Sequence, residues 1–318
     1  MVERVLGKQA RPRRTHVCVP RTLFPPGSQG VRSVSHECRD AAPAGRVAPR
    51  VTVTVRGAQR GGVEERNRRL AHAGVARAQE VLVGRYRLAG PQVSFELLRQ
   101  TSQRFNIRLH TLADAVTHIP GPGAGAAQWF PRRARYSPPP LTGLGVEGPE
   151  RRHHGAVLRA AMRRMLHITD TGMGNVQLAE NGLLRLEKHT GLNQEFTDFF
   201  AFVQDSTTAC AQAAQERRQV TVKDAAVADI FDDDSRHAIL QTGARGVHSL
   251  PLTSPSGAVL GMVSSHHERP LPGLSQAQLD ALDTLGTQIG RWLLWHRHTV
   301  VLDALEHLHS ISISATAR

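Results

Sequence analysis

Three consecutive stretches of helical periodicity between Leu70 and Val116 constrain the fold more than any other part of this chain. Apolar and small side chains recur there at steps of three and four residues, which places them on one face of each helix. Pro91 suits the first turn of a helix, and Asn106 suits a chain reversal or a helix N-cap. The pattern predicts three short helices around one small core, built from Leu70, Gly74, Ala78, Val81, Leu82, Phe95, Leu98, Leu109, Leu112, Ala113 and Val116.

Positive charge is concentrated in the same half of the chain. The 318 residues carry a formal net charge of +13, from 40 Lys or Arg and 27 Asp or Glu. Residues 1–150 hold 24 of the basic and 10 of the acidic residues, which leaves 16 and 17 for the rest of the chain. A basic region favours a polyanionic partner, because neutralising phosphates releases counterions. Only three of the basic residues are lysines, so a coding preference for arginine is an alternative explanation for part of the excess.

The run from Ala78 to Ala113 resembles the ANTAR family, the small RNA-binding domains of bacterial transcription antiterminators. The resemblance rests on the order of Ala78, Leu82, Arg85-Tyr86, Phe95, Leu97-Leu98-Arg99, Ser102, Asn106, Leu109 and Ala113. It implies a domain at residues 63–120 that binds a hairpin RNA in a leader transcript. Tyr86 and Asn106 are then expected to reach unpaired loop bases. Phosphate contacts are expected from Arg77, Arg85, Arg99, Arg104 and Arg108.

Two segments lack a sustained period. Residues 1–62 are rich in Pro, Gly, Ser and Arg, and residues 121–152 contain three consecutive prolines among many glycines. These compositions predict a disordered basic N-terminal segment and an extended, flexible linker. Val51 to Val55 alternate like a strand, but no second strand lies nearby to pair with them.

A second folded block is predicted at residues 153–298. An amphipathic helix at 157–166 is followed by two alternating segments, 173–178 and 183–188, joined at Glu180-Asn181-Gly182. Two helices, a short strand, an acidic loop, a second hairpin and a long helix capped by Ser275 come next. This order predicts an α+β domain with helices packed on an antiparallel sheet.

The local sequences of this block are similar to those of GAF domains. The resemblance rests on residues 173–178, 196–202, 208–210, 222–224, 229–231, 238–243, 249–252 and 257–266, in the family's order. It implies a scaffold that senses a small molecule or serves in dimerisation. The resemblance does not name the ligand, because this fold hosts many different ones.

Alternate strand positions that face the cavity side of such a sheet are the candidate ligand contacts. They are Asn175, Gln177, His248, Met262, Ser264 and His266, joined by Phe199 and Cys210 from the helical layer. No cation flanks Cys210 to activate its thiol, so it is more typical of a small buried side chain. The cysteines show no CxxC spacing, and His266 and His267 point to opposite faces of a strand. Neither a metal site nor a cofactor is therefore expected.

Other protein classes find little support. The chain contains no GxSxG, P-loop, HExxH or kinase motif, so no enzyme is expected. It has neither a secretory h-region nor an apolar run of about 20 residues, which predicts a cytoplasmic protein without membrane contact. The last helix carries Trp292, Trp295, Leu305 and Leu308, which favours a homodimer contact or, alternatively, packing on the chain's own sheet.

The predicted architecture is therefore multi-domain. It consists of a disordered segment (1–62), an all-α three-helix RNA-binding domain (63–120), a linker (121–152), an α+β GAF-like sensor (153–298) and a helical tail (299–318). The expected function is bacterial antitermination control, with RNA bound by the first domain and an unknown small molecule or partner sensed by the second. The alternative is a ligand-binding or dimerising GAF protein without working nucleic-acid binding.

Overall fold

The computed structural model describes residues 55–123, 125–204 and 207–316, and the side chains of residues 55–64 and 316 are not described. The predicted disorder of residues 1–54 lies outside the described residues, as do Cys18 and Cys38. Within this part of the chain, the structure consists of a helical unit (residues 55–118), a sheet domain (residues 154–296), an irregular segment between them, and a C-terminal helix.

The helical unit contains the three helices that the periodicity predicts: α1 (Val55–Tyr86), α2 (Pro91–Phe105) and α3 (Leu109–His118). Pro91 opens α2, and Asn106 ends it in the left-handed conformation at φ 50°. Helix α1 begins inside the segment predicted to be disordered, so residues 55–62 are helical instead. Arg, Gln, Ala and Glu are strong helix formers, and their propensity extends the helix despite its glycines.

The sheet domain alternates helices with six strands. Its first half contains α4 (His154–Thr169), β1 (Met173–Glu180), β2 (Leu183–Thr190), α5 (Gln194–Phe199) and β3 (Phe202–Val203). Its second half contains α6 (Ala209–Glu216), β4 (Val220–Val222), α7 (Asp233–Leu240), β5 (Gly246–Thr253), β6 (Val259–His267) and α8 (Gln276–His296). A π-helical turn (Arg297–Val301) continues α8 into α9 (Leu302–Thr316).

All six strands pair antiparallel in the order β3-β2-β1-β6-β5-β4. The hairpin of β1 and β2 turns at Asn181 and Gly182, whose φ angles of 51° and 77° are those of the two-residue turn that Asn-Gly favours. Ser275 caps α8 with a reciprocal capping box to Gln278. The α+β prediction is confirmed.

One apolar core joins the helical unit to the sheet domain. It runs from Ala78 and Leu82 on α1 through α9 and α8 to Leu250 on β5. A second core, with Phe196, Phe231 and Met262, fills the opposite face of the sheet beneath α5, α6 and α7. The three helices therefore share their core with the rest of the chain, and do not close a core of their own.

The segment expected to be a flexible linker is packed. Trp129, Leu141, Leu144 and Val146 are buried in the first core, although the described residues between 121 and 147 form neither helix nor strand. Polar anchors hold it as well, because Arg133 pairs with Asp303 and the indole N–H of Trp295 donates to the Tyr136 carbonyl at 2.8 Å. Apolar side chains spaced among the prolines supply the contacts that composition alone does not reveal.

The apolar face of the C-terminal helices is covered within the chain. Trp292 is fully buried, Trp295 nearly so, and Leu305 and Leu308 lie under α2 and α3. The interpretation of these side chains as a dimer contact is replaced by the alternative of intramolecular packing. The homodimer itself stays a prediction without this support.

Candidate functional site

A polar row crosses the middle of the sheet on the face beneath α5, α6 and α7. Strand register places Asn175 opposite Ser264 and Gln177 opposite Met262, so these side chains share one face of β1 and β6. On β5, Ser249 is opposite Ser264, and their hydroxyls lie 3.0 Å apart. The row is therefore fixed by backbone pairing and does not depend on loops.

Three capped helices cover this row. Asn193, Thr208 and Asp232 each accept a hydrogen bond from a backbone N–H in the first turn of α5, α6 and α7, respectively. Between the helices and the sheet lies a pocket lined by Asn175, Gln177, Phe196, Phe200, Thr208, Ala209, Cys210, Phe231, Ile239, Val247, Ser249, Ser264 and His266.

His266 is the most perturbed group of the pocket. Burial, with a smaller contribution from nearby His267, lowers the pKa of His266 to about 3, so its ring is neutral at physiological pH. Its Nε2–H donates to Asn175 Oδ1 at 2.8 Å, and the ring meets the edge of Phe196. The other nitrogen, Nδ1, is then a buried acceptor, and no donor from the described residues reaches it.

Gln177 provides a second free acceptor. Its Nε2 donates to the Phe200 carbonyl at 3.4 Å, which orients the amide and leaves Oε1 as the acceptor. Oε1 is buried and has no hydrogen-bond partner among the described residues. A buried polar group without a partner costs about 1–3 kcal/mol, so these two acceptors are the polar atoms of the pocket with free hydrogen-bonding capacity toward the described residues.

Cys210 is a partly buried free thiol. Burial raises its pKa above the usual value, and its sulfur lies 3.3 Å from the Thr208 hydroxyl. A protonated thiol is a weak nucleophile, so Cys210 serves as a small lining group.

The structure brings together five of the eight predicted ligand contacts: Asn175, Gln177, Cys210, Ser264 and His266. Met262 lies in the same core, fully buried below the pocket, and Phe199 packs edge-on against Phe200, one residue outside the lining. The lining residues that the sequence did not predict include the aromatic side chains Phe196, Phe200 and Phe231, which only the folded helical layer brings to the sheet.

His248 was predicted to face the pocket, but it lies on the opposite face of the sheet. It is opposite Ser265, so it shares the face of Leu250 and Leu252 that packs on α8. There its ring meets the Thr221 hydroxyl at 2.8 Å and Gln219 Oε1 at 3.0 Å, and burial lowers its pKa to about 4. The alternation along a strand shows which of its residues share a face. It does not show which face of β5 lies on the same side of the sheet as the pocket-facing residues of β6.

The candidate RNA contacts on the helical unit have mixed surroundings. Arg77, Arg104 and Arg108 are exposed, whereas Arg99 forms a two-point ion pair with Glu96 of its own helix. Arg85 is half-buried, with its guanidinium 4.9 Å from the centre of the Trp129 ring.

The two candidate base contacts have partners within the chain. Tyr86 is buried, and its hydroxyl lies 2.8 Å from His309 Nδ1. Asn106 is exposed, and its amide lies 2.8 Å from His153 Nδ1. Contact of Tyr86 with an RNA base would first require the helical unit to open.

A second cluster of titratable groups lies where α3 meets the first hairpin. His110 Nδ1 is 3.2 Å from Glu180 Oε2, and His110 Nε2 is 2.9 Å from Glu187 Oε1. Burial lowers the pKa of His110 while both carboxylates raise it, with a net increase to about 9. His110 lies 70 residues before Glu180 in the sequence, so no local motif predicts this cluster.

Comparison with known proteins agrees with the sheet domain. The family model of the GAF domain matches residues 154–293. These residues form a GAF domain. The match begins at the first residue of α4 and ends in the last turn of α8, so it covers the sheet and helices α4 to α8. An ANTAR domain is not identified by any comparison, and the search of curated proteins returns no match.

Solved structures that resemble the chain include further GAF domains. A GAF domain/HD domain protein from Geobacter sulfurreducens is 16% identical, with 44% of this chain and 92% of that one covered and a TM-score of 0.39. The GAF domain of a phosphoenolpyruvate-protein phosphotransferase from Acinetobacter is 15% identical, with coverages of 66% and 97% and a TM-score of 0.38. A free methionine-R-sulfoxide reductase from Neisseria meningitidis is 14% identical, with coverages of 48% and 94% and a TM-score of 0.33.

None of the described helices combines the length and apolarity that crossing a membrane requires.

Proposed function

We propose that the protein is a sensor whose GAF domain binds a small, uncharged molecule carrying hydrogen-bond donors. The observation that supports this most directly is the pair of buried, unpartnered acceptors in the pocket, Gln177 Oε1 and His266 Nδ1. Among the described residues, the lining contains no Asp, Glu, Lys or Arg, and His266 is neutral, so a charged ligand would lose its hydration without compensation from these side chains. Phe196, Phe200 and Phe231 favour an apolar or aromatic body on that ligand.

Ligand entry requires a movement of the helical layer. The free volume of the pocket is about 20 Å³, which is enough for about one ordered water. Helix α5 contributes Phe196 to the lining, and Phe200 follows directly after it. A ligand of several heavy atoms must therefore displace α5 or α6 from the sheet, and this displacement is the signal that the domain can pass on.

Gln177→Leu is expected to separate ligand affinity from stability. The variant removes a buried unpartnered oxygen, so the melting temperature of the ligand-free protein stays level or rises. The affinity for a donor-bearing ligand should fall about tenfold, because one hydrogen bond is lost. Thermal-shift screening of neutral donor-bearing compounds, with titration calorimetry on any hit, measures both effects.

The exposed Gln100→Leu, on α2, is the matched control, and it should leave the affinity unchanged. The proposal fails if the pocket variant binds every hit as tightly as the wild type, or if no compound of this class raises the melting temperature.

RNA binding by the helical unit is a second candidate function. It is favoured by the three helices at the predicted positions and by the exposure of Arg77, Arg104 and Arg108. If it operates, Arg104→Glu should weaken binding to a two-hairpin leader RNA by about tenfold at low salt and flatten the salt dependence.

Gel-shift titrations across a salt series, with a scrambled RNA, measure this effect. Arg163→Glu on α4 makes the same charge change at another exposed position. Equal losses in the two variants, or equal binding to both RNAs, would reduce the interaction to non-specific charge.

A further inference from the structure

Three potential metal ligands converge from three different elements at the junction of the helical unit and the sheet domain. His110 comes from the first turn of α3, Glu180 from the end of β1, and Glu187 from β2. One ligand atom of each residue can be chosen so that all three lie within 4.8 Å of one another. Rigid secondary structure holds them, which is the arrangement that a pre-formed site needs.

Glu187 is the decisive member of this cluster. Its side chain is only 3% exposed, yet its Oε1 accepts no hydrogen bond from the described residues. His110 Nε2 lies 2.9 Å from that oxygen and forms an ion pair with it when the ring is protonated. The Arg108 guanidinium approaches the other carboxylate oxygen no closer than 3.6 Å and is mostly exposed. A buried carboxylate needs a positive partner, which here is either the protonated His110 ring or a metal ion bound to the neutral ring.

The donor set indicates which cation. One imidazole nitrogen and two carboxylates suit divalent ions such as Zn²⁺ and Mn²⁺, whereas Mg²⁺ and Ca²⁺ prefer oxygen alone. Three protein ligands leave at least one coordination position for water or another ligand. His110 and Glu180 also line a cleft of about 350 Å³ between α1, α3 and the β1–β2 hairpin, through which an ion can enter.

We propose that His110, Glu180 and Glu187 bind one divalent transition-metal ion that ties α3 to the first hairpin of the GAF domain. This site is separate from the pocket of Gln177 and His266, and its existence does not depend on the proposed sensor function. Its consequence is structural, since an ion held by both parts favours the arrangement in which they are docked.

Co²⁺ is the probe for the test, because its visible absorption reports on nitrogen and oxygen ligands. We expect the full-length protein, stripped with a chelator, to bind one Co²⁺ per chain at micromolar concentration, and Zn²⁺ to displace it. Glu187→Gln and Glu180→Gln should each weaken binding by at least about tenfold. Glu96→Gln, which changes an exposed carboxylate on α2, should bind as the wild type does.

Three outcomes would overturn the proposal. They are no Co²⁺ bound by the wild type, binding unchanged in both site variants, and an equal loss in the Glu96 variant. If Glu187→Gln does not fold, Glu180→Gln decides, because Glu180 is at the strand end. Zn²⁺ should also raise the melting temperature of the wild type but not that of Glu180→Gln.

Discussion

Gly290→Ala is expected to lower the free energy of unfolding by at least about 3 kcal/mol, the upper end of the usual cost of overpacking. A Cβ at this position of α8 would overlap the carbonyl of Thr253 and lie 2.7 Å from its backbone nitrogen. One turn earlier, a Cβ on Gly286 would lie 2.7 Å from the Pro251 carbonyl oxygen. The two glycines let α8 touch the backbone of β5, so a methyl group must push the helix away from the sheet.

Gly84→Ala in α1 is the matched control. No atom lies within 4 Å of a Cβ built on Gly84, and the position is helical and exposed. This variant should gain about 0.5–1 kcal/mol, because alanine loses less backbone entropy in a helix. Urea unfolding of both variants measures the difference, and a Gly290 variant as stable as the wild type would show that α8 does not approach β5 this closely.

Acidification is expected to destabilise the protein steeply between pH 6.5 and 4. His248 and His266 have an ordinary pKa of 6.5, and burial lowers it to about 4 and about 3. In this window each ring is protonated in the unfolded chain but neutral in the fold, so unfolding takes up protons. Their stabilisation is complete above pH 6.5 and is lost as the pH falls toward the folded pKa values, by about 1.4 kcal/mol per pH unit for each ring.

Denaturant titrations at successive pH values measure this slope. Replacing either histidine with glutamine should reduce proton uptake by about one proton, and the double variant by about two. The two rings lie on opposite faces of the sheet, so their contributions should add. A slope that is the same in the wild type and in both single variants would contradict the assignment of neutral, buried rings.

Local chemistry allowed most of the elements to be predicted. Pro91, the Asn181-Gly182 turn and the Ser275 cap each act within a few residues, and the structure has a helix start, a hairpin and a helix start at these points. Four of the residues that line the pocket, Asn175, Gln177, Ser264 and His266, followed from the two-residue period of β1 and β6. These features depend on backbone geometry that short sequences determine.

Features that depend on distant parts of the chain were not predicted. The burial of Trp129 and Leu141 requires α8 and α9, which lie more than 130 residues away in sequence. The face that His248 occupies follows from its pairing with Ser265, and the pairing register is not written in either strand alone. The meeting of His110 with Glu180 and Glu187 depends on how α3 docks on the hairpin.

Helix α1 links α5, which covers the GAF pocket, to the other helices of the helical unit. Its 32 residues span about 48 Å. In the first half of α1, the buried Asn67 amide donates to the Asp198 carbonyl of α5 at 2.7 Å, and near the C-terminal end of the helix Leu82 and Tyr86 are buried near α3 and α9. Under the proposed sensor function, a ligand that displaces α5 would pull on α1 at Asn67, about 28 Å from its C-terminal end, without any contact between the ligand and that end.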